Sequence, residues 1–156
     1  MRTIAYAPDG LRPYAALGHY CRYGTELTER QRELAILVAV KDVTYCWQHH
    51  APLARATGLS DDQIQSIRQG RVPRDLSPAD TAACQFAFEV AAFHRAPPYL
   101  EEEIQKHFSS RQILDLTLLT SYYLSVAAIA ITMDVPIEDP QFLLREQAWQ
   151  QKYGRF

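Results

Sequence analysis

The sequence predicts an all-α protein, a helical bundle of about seven or eight helices. Three observations carry that prediction. Helix-start signatures recur along the chain: Thr28 with Gln31, Ser60 with Gln63, Ser77 before Pro78, Ser109 beside Ser110, and Asp139 before Pro140. Between them apolar residues return every three or four positions, and no segment survives as a strand. Glycine or proline then closes most intervals, at Gly24, Gly58, Gly70, Pro97 and Pro136, as expected where helices stop.

The elements follow in order. Residues 1–9 read as irregular. A first helix is expected over about 11–22, with Pro13 in its first turn and Tyr14, Leu17 and Cys21 at helical spacing. Thr28 and Gln31 form a capping-box pattern that opens a helix over about 28–41. Its apolar run (Leu34, Ile36, Leu37, Val38, Val40) also suits a buried strand, but the cap and the Glu-Arg-Gln-Arg-Glu start favour helix. Thr44 is the expected N-cap of the next helix, which runs to about Thr57. Ser60 and Gln63 open a short helix with Ile64 and Ile67 facing inward, and 71–76 is a linker.

Ser77-Pro78 starts a helix that carries Ala82, Phe86, Val90 and Phe93 at helical spacing. Cys84 reads as core, and His94 as a dipole partner near the helix end. Residues 99–108 form a short helix, with Glu101, Glu102 and Glu103 early and Lys106 and His107 late, an order that complements the macrodipole. Ser109 or Ser110 caps a long helix to about Met133. Residues 116–133 carry no charge, which is marginal length for a membrane span. The stretch holds Thr117, Thr120, Ser121, Tyr122, Tyr123, Ser125 and Thr132, and no Lys or Arg cluster flanks it. It therefore reads as a central helix buried on most sides rather than a span. A final amphipathic helix starts at Asp139-Pro140 with Phe142, Leu143 and Ala148 apolar, and its end, 150–156, is expected to dock on a partner subunit.

At 156 residues the chain is expected to form a single domain over 1–156, with 136–156 as its C-terminal helix. The formal net charge is −2 and no basic block exists, so nucleic acid is not an expected partner. Three cysteines at unpaired spacing fit a reducing cytoplasm. The first ten residues lack an apolar core of signal-peptide length.

One stretch concentrates chemistry: Thr44-Tyr45-Cys46-Trp47-Gln48-His49-His50. On a helix, Cys46 faces His50 at i+4 and His49 at i+3. Placed in the first turn, its thiol meets free N–H groups and the positive end of the dipole, which lower a cysteine pKa from about 8.5. Cys46 is therefore a candidate nucleophile and His50 a candidate base or proton shuttle. The plainer reading makes Cys46 a small core residue and His50 a satisfied core histidine. Cys46, His49 and His50 are also metal-ligand types, but a zinc site needs a further pair. Cys21, Cys84, His94 and His107 are scattered singly, so neither metal nor cofactor is expected.

From Leu27-Thr28-Glu29-Arg30-Gln31-Arg32-Glu33-Leu34 to Tyr45-Cys46-Trp47-Gln48-His49-His50, the chain resembles the carboxymuconolactone decarboxylase family, which includes alkyl hydroperoxidase D (AhpD). Ala54-Arg55-Ala56-Thr57-Gly58-Leu59-Ser60-Asp61-Asp62-Gln63-Ile64, the Ser77-Pro78-Ala79-Asp80 helix start and the Tyr122-Tyr123 helix agree, so the resemblance covers about 14–135. It implies an AhpD-like helical fold that assembles as homo-trimers or homo-hexamers, with sites near subunit contacts. The hydroperoxidase branch carries Glu, then Cys-x-x-Cys, then x-x-x-His, the second cysteine reacting with peroxide. Cys46 and His50 match that cysteine and histidine, while Val43 stands where the disulfide-forming cysteine would be. The decarboxylase branch reads Tyr-Glu-Trp-x-x-His. Tyr45, Trp47 and His50 match it, and Cys46 replaces the glutamate. Glu33 is the best match to the family's upstream glutamate, although ungapped spacing selects Gln31.

Three functions follow as expectations. The first is a thiol peroxidase: Cys46 attacks a peroxide, His50 moves the proton, Glu33 tunes His50, and an external thiol, Cys21 or Cys84 regenerates the enzyme. The second is a cofactor-free lyase on a small unsaturated acid. In it His50 is the proton shuttle, Tyr45 or His49 assists, and Arg30 or Arg32 holds a carboxylate. The third is a non-catalytic helical oligomer that binds an apolar ligand.

Overall fold

A computed structural model of the chain describes residues 6–139 together with 141, 142, 144, 145 and 148. Seven α-helices occur among the described residues: α1 (Pro8–His19), α2 (Glu29–Val40), α3 (Thr44–Ala56), α4 (Asp61–Arg68), α5 (Pro78–Ala91), α6 (Pro98–His107) and α7 (Ser110–Thr132). A π-helical turn, Tyr20–Gly24, continues α1. The described residues contain no strand, so the all-α expectation holds.

The predicted capping boxes are present at Thr28 and Ser60, and Ser109 rather than Ser110 caps α7 with a third box, each with Gln three residues on closing the reciprocal bond. Ser77 caps α5 ahead of Pro78. Each cap satisfies orphan N–H groups that would otherwise fray the first turn, which stabilises by about 1 kcal/mol. Asp139 Oδ1 accepts from Gln141 N at 2.7 Å, so it caps the helical residues that follow. Phe142 and Leu144 there are exposed; Leu143 and 150–156 lie outside the described residues.

The hub is α2, not α7. Leu34, Ala35, Ile36, Leu37, Val38, Ala39 and Val40 are all buried, and α2 packs against α7, α5, α3 and α4. A helix apolar on every side must be enclosed, which is why the run looked strand-like. In α7 only one face is covered, through Leu116, Leu119, Thr120, Tyr123, Val126, Ala127 and Ala130. Leu114 and Ile131 stand exposed on the other. Helix α7 is long and apolar enough to cross a membrane, but its covered face also carries Asp115. That carboxylate accepts from Tyr20 Oη at 2.5 Å and Glu26 N at 3.0 Å, partners that make its burial tolerable.

Three expectations need correction. Leu17 is exposed rather than inward, because α1 rests on the bundle mainly through Tyr14 and Gly18. A Cβ at Gly18 would overlap the Tyr122 phenol. Phe93 lies past the end of α5 with φ +59° and is 88 % exposed; the helix has already stopped at Ala91. The cap of α3 is Val43, with extended backbone and no side-chain hydrogen bond, while Thr44 is already helical.

Candidate active site

Helix α2 turns one polar residue into its own apolar core. Glu33 is 4 % exposed. Its two oxygens take different partners: Oε2 meets His50 Nδ1 of α3 at 2.8 Å, and Oε1 accepts from Arg22 Nη1 at 2.6 Å. Burial opposes the charge on Glu33, but His50 and then Arg22 outweigh it and hold the carboxyl below its ordinary range. An ionised carboxylate can only accept, so Nδ1 of His50 carries the proton and Nε2 is the basic nitrogen. The imidazole is itself buried, and Tyr123 of α7 packs edge-on against it at 4.8 Å between ring centres. Burial pushes the Tyr123 phenol far up, and the charge of Arg22 pulls the other way.

Gln31 is excluded as the partner of His50. Its side chain closes the cap at Thr28, two positions too early on α2 to face α3. Arg30 and Arg32 are likewise committed. Arg30 Nε donates to Asp80 at 2.8 Å, and Arg32 Nη1 to the Leu27 carbonyl at 2.5 Å. Neither is the open carboxylate clamp that the sequence suggested.

Cys46 sits one turn before His50 on α3, but not as an activated thiol. It is 3 % exposed, and burial pushes its thiol up to about 11, against a pull from its own backbone N–H. The expected depression by the helix start is overridden by desolvation. Cys21 and Cys84 are also buried free thiols, pushed up to about 11 and about 12. Val43 is a buried core residue.

Tyr45 and His49 form a second cluster with a residue the sequence did not flag. Glu138, past the end of α7, accepts from Tyr45 Oη at 2.8 Å and meets His49 Nε2 at 3.1 Å. The Tyr45 and His49 rings lie 4.9 Å apart. Burial works against the Glu138 charge, but Tyr45, its own backbone and His49 together lower its carboxyl. Arg22 and Glu138 escaped notice because neither lies in a periodic pattern. Tyr123 carried one signal, its place in the Tyr122-Tyr123 pair. No group of three or more metal-ligating side chains gathers among the described residues.

Residues 8–89 match the profile of the Carboxymuconolactone decarboxylase family, more than half of the 156 residues. The chain belongs to the carboxymuconolactone decarboxylase family. The matched stretch contains Arg22, Glu33, Cys46 and His50, while Tyr123 and Glu138 lie beyond it. Among curated proteins none matches the sequence. Solved structures of the same shape include a protein of unknown function from Agrobacterium tumefaciens, a candidate AhpD antioxidant defence protein. It has TM-score 0.77 and 21% identity, over 89% of this chain and 97% of that one. An uncharacterized peroxidase-related protein from Ralstonia eutropha with an alkylhydroperoxidase AhpD core has TM-score 0.76 and 22% identity, over 90% and 77%. The debrominase Bmp8, as a cysteine-to-alanine variant with 2,3,4-tribromopyrrole, has TM-score 0.70 and 18% identity, over 92% and 79%. At such identities these likenesses establish an AhpD-like fold for this family member and no more.

Proposed function

We propose that this family member is a cofactor-free enzyme that moves a proton on a small unsaturated acid or lactone, in the manner of a decarboxylase, with His50 as the acid–base group. The observation that carries this reading is the buried 2.8 Å contact between Glu33 and His50. A carboxylate that fixes Nδ1–H presents Nε2 as a base and stabilises the imidazolium that forms when Nε2 takes a proton. Nε2 takes a proton from carbon next to a carbonyl and, as the imidazolium, returns it to the enolate-like carbon left when carbon dioxide departs. Self-association as a trimer or hexamer belongs to the same proposal. The exposed Leu114 and Ile131 on α7 are apolar surface of the kind a second copy would cover.

A second reading is favoured by the position of Cys46 one turn before His50. In it Cys46 attacks a peroxide and becomes a sulfenic acid, and an external thiol restores it. The chemistry of the thiol counts against this. A pKa of about 11 leaves on the order of one thiolate in ten thousand at neutral pH, against a few per cent for an ordinary cysteine.

One experiment separates the two. Purified wild type, His50→Ala and Cys46→Ser are assayed on a panel of small unsaturated acids and lactones. In parallel they meet hydrogen peroxide and an organic hydroperoxide with a sulfenic-acid trap, read by intact mass. Acid turnover that survives Cys46→Ser and disappears in His50→Ala is the expected result. Rapid peroxide-dependent trapping at Cys46, with peroxide turnover lost in Cys46→Ser, would replace it with the peroxidase reading. Inertness in both assays would leave the ligand-binding oligomer.

A further inference from the structure

Four side chains from four elements line up through the proposed base. Arg22 from the π-helical turn donates to Glu33 Oε1, Glu33 of α2 holds His50 through Oε2, and His50 of α3 abuts Tyr123 of α7. We propose that Arg22 is a positioning residue: it neutralises Glu33 from the side opposite His50, so that the Glu33–His50 pair can release its last proton and open Nε2 as a base. The inference rests on the proton-transfer reading of the site and adds the residue that sets its proton inventory.

The backbone argues that this placement is built. A π-turn is wider than an α-turn, and single π-turns concentrate at functional sites. Here it sends neighbouring side chains to separate targets. Tyr20 reaches Asp115, Cys21 is fully buried, and Arg22 turns to Glu33. Gly24 closes the turn under the Tyr20 ring, where a Cβ would come within 2.6 Å of Cδ2. The Arg22 guanidinium is largely covered, with 22 % of its side chain exposed, so its pairing with Glu33 is poorly screened by solvent.

Electrostatics then gives the direction of the effect. The groups around the pair are Arg22 and Tyr23 from the π-turn, Arg32 from α2, Cys46 from α3, and Tyr123 with its neighbour Tyr122 from α7. Tyr123, Tyr122 and Cys46 have raised pKa values and are neutral near pH 7. Arg32 is nearby but is tied to the Leu27 carbonyl. Without Arg22, releasing the last proton would leave a buried carboxylate with no cation in contact. The pair would therefore keep that proton to higher pH, whichever of the two atoms holds it. With Arg22 in place, the deprotonated pair and the guanidinium sum to zero charge.

The test compares wild type, Arg22→Lys and Arg22→Gln by NMR titration of the His50 ring nitrogens, with the pH–rate profile recorded alongside. Arg22→Gln is expected to move the titration of the pair upward by about one unit or more. The rising limb of the rate profile should move with it, and the lost rate should return at high pH. Arg22→Lys, which keeps the charge and loses the planar fork, is expected to shift by less than half as much. Should Arg22→Gln be too unstable, Arg22→Met fills the same stem volume and carries the same test. Superimposable His50 titrations in wild type and the neutral variant would overturn the inference, as would a rate loss uniform across pH. Because the titration needs no substrate, a shift in it without any turnover would sustain the role of Arg22 and count only against the catalytic reading.

Discussion

Helix α3 carries two histidines side by side, and the fold treats them differently. His50 enters the core and meets Glu33, a carboxylate buried among apolar α2 residues and braced by Arg22. His49, one position earlier, meets Glu138, whose side chain is 26% exposed and which also accepts from Tyr45. The ingredients are nearly the same: histidine, glutamate and tyrosine. Successive helical residues point about 100° apart, so one imidazole lands in the core and its neighbour at the rim. The lesson concerns solvent. A histidine–carboxylate contact deep in the bundle is poorly screened and needs a third charge to balance it, whereas the rim contact shares its charge with water.

The largest expected effect comes from breaking the deep cluster at its carboxylate. Glu33→Ala leaves Arg22 largely buried without its counter-charge and should cost about 3–5 kcal/mol of stability, read by urea denaturation. Glu138→Ala should cost under about 1 kcal/mol. Equal losses would show that burial does not distinguish the two clusters.

Activity offers the next contrast. His50→Ala should lower turnover by about 100- to 10,000-fold, the range for loss of a general acid–base group. His49→Ala should lower it by less than about tenfold, because its role in the proposed reaction is assistance at most. Steady-state kinetics on the substrate found in the panel would decide it, and a reversed order would move the working base to the rim cluster.

Acid stability sharpens the comparison further. The folded Glu33 carboxyl is depressed below its ordinary value of 4.5. Its contribution is therefore complete above that value and is lost as pH falls through the lower folded one. Melting temperature should decline with falling pH across this acid window, and Glu33→Gln should flatten the decline. Glu138 is also depressed but holds its partners at the rim, so Glu138→Gln should change the slope least of all.

The helices were legible in the sequence because their caps are local chemistry. Thr28, Ser60, Ser77 and Ser109 each act within three residues of themselves, so nothing distant can override them. The rank of α2 and α7 was not legible. An apolar run marks a buried helix without saying how many neighbours enclose it, and Asp115 was paired by residues nearly a hundred positions away. At the site, Glu33, Cys46 and His50 could be singled out from motif order. The structure then joined Glu33 to His50 and separated His49 from them. The raised thiol of Cys46 was invisible because a helix start lowers a pKa while burial raises it, and burial is a property of the whole bundle. Arg22 was hidden for a related reason: its direction is set by a π-turn, and the periodic reading of sequence assumes that every turn is α.

The π-turn at Tyr20–Gly24 also makes the site sensitive to chain length. Such a turn is an α-helix carrying one residue more than regular winding allows. Removing a single residue there would rewind the helix and swing every preceding side chain around its axis, taking the guanidinium away from Glu33 while leaving α2 and α3 intact. The seating of Arg22 against Glu33 thus depends on a single residue of helix length far from the His50 motif.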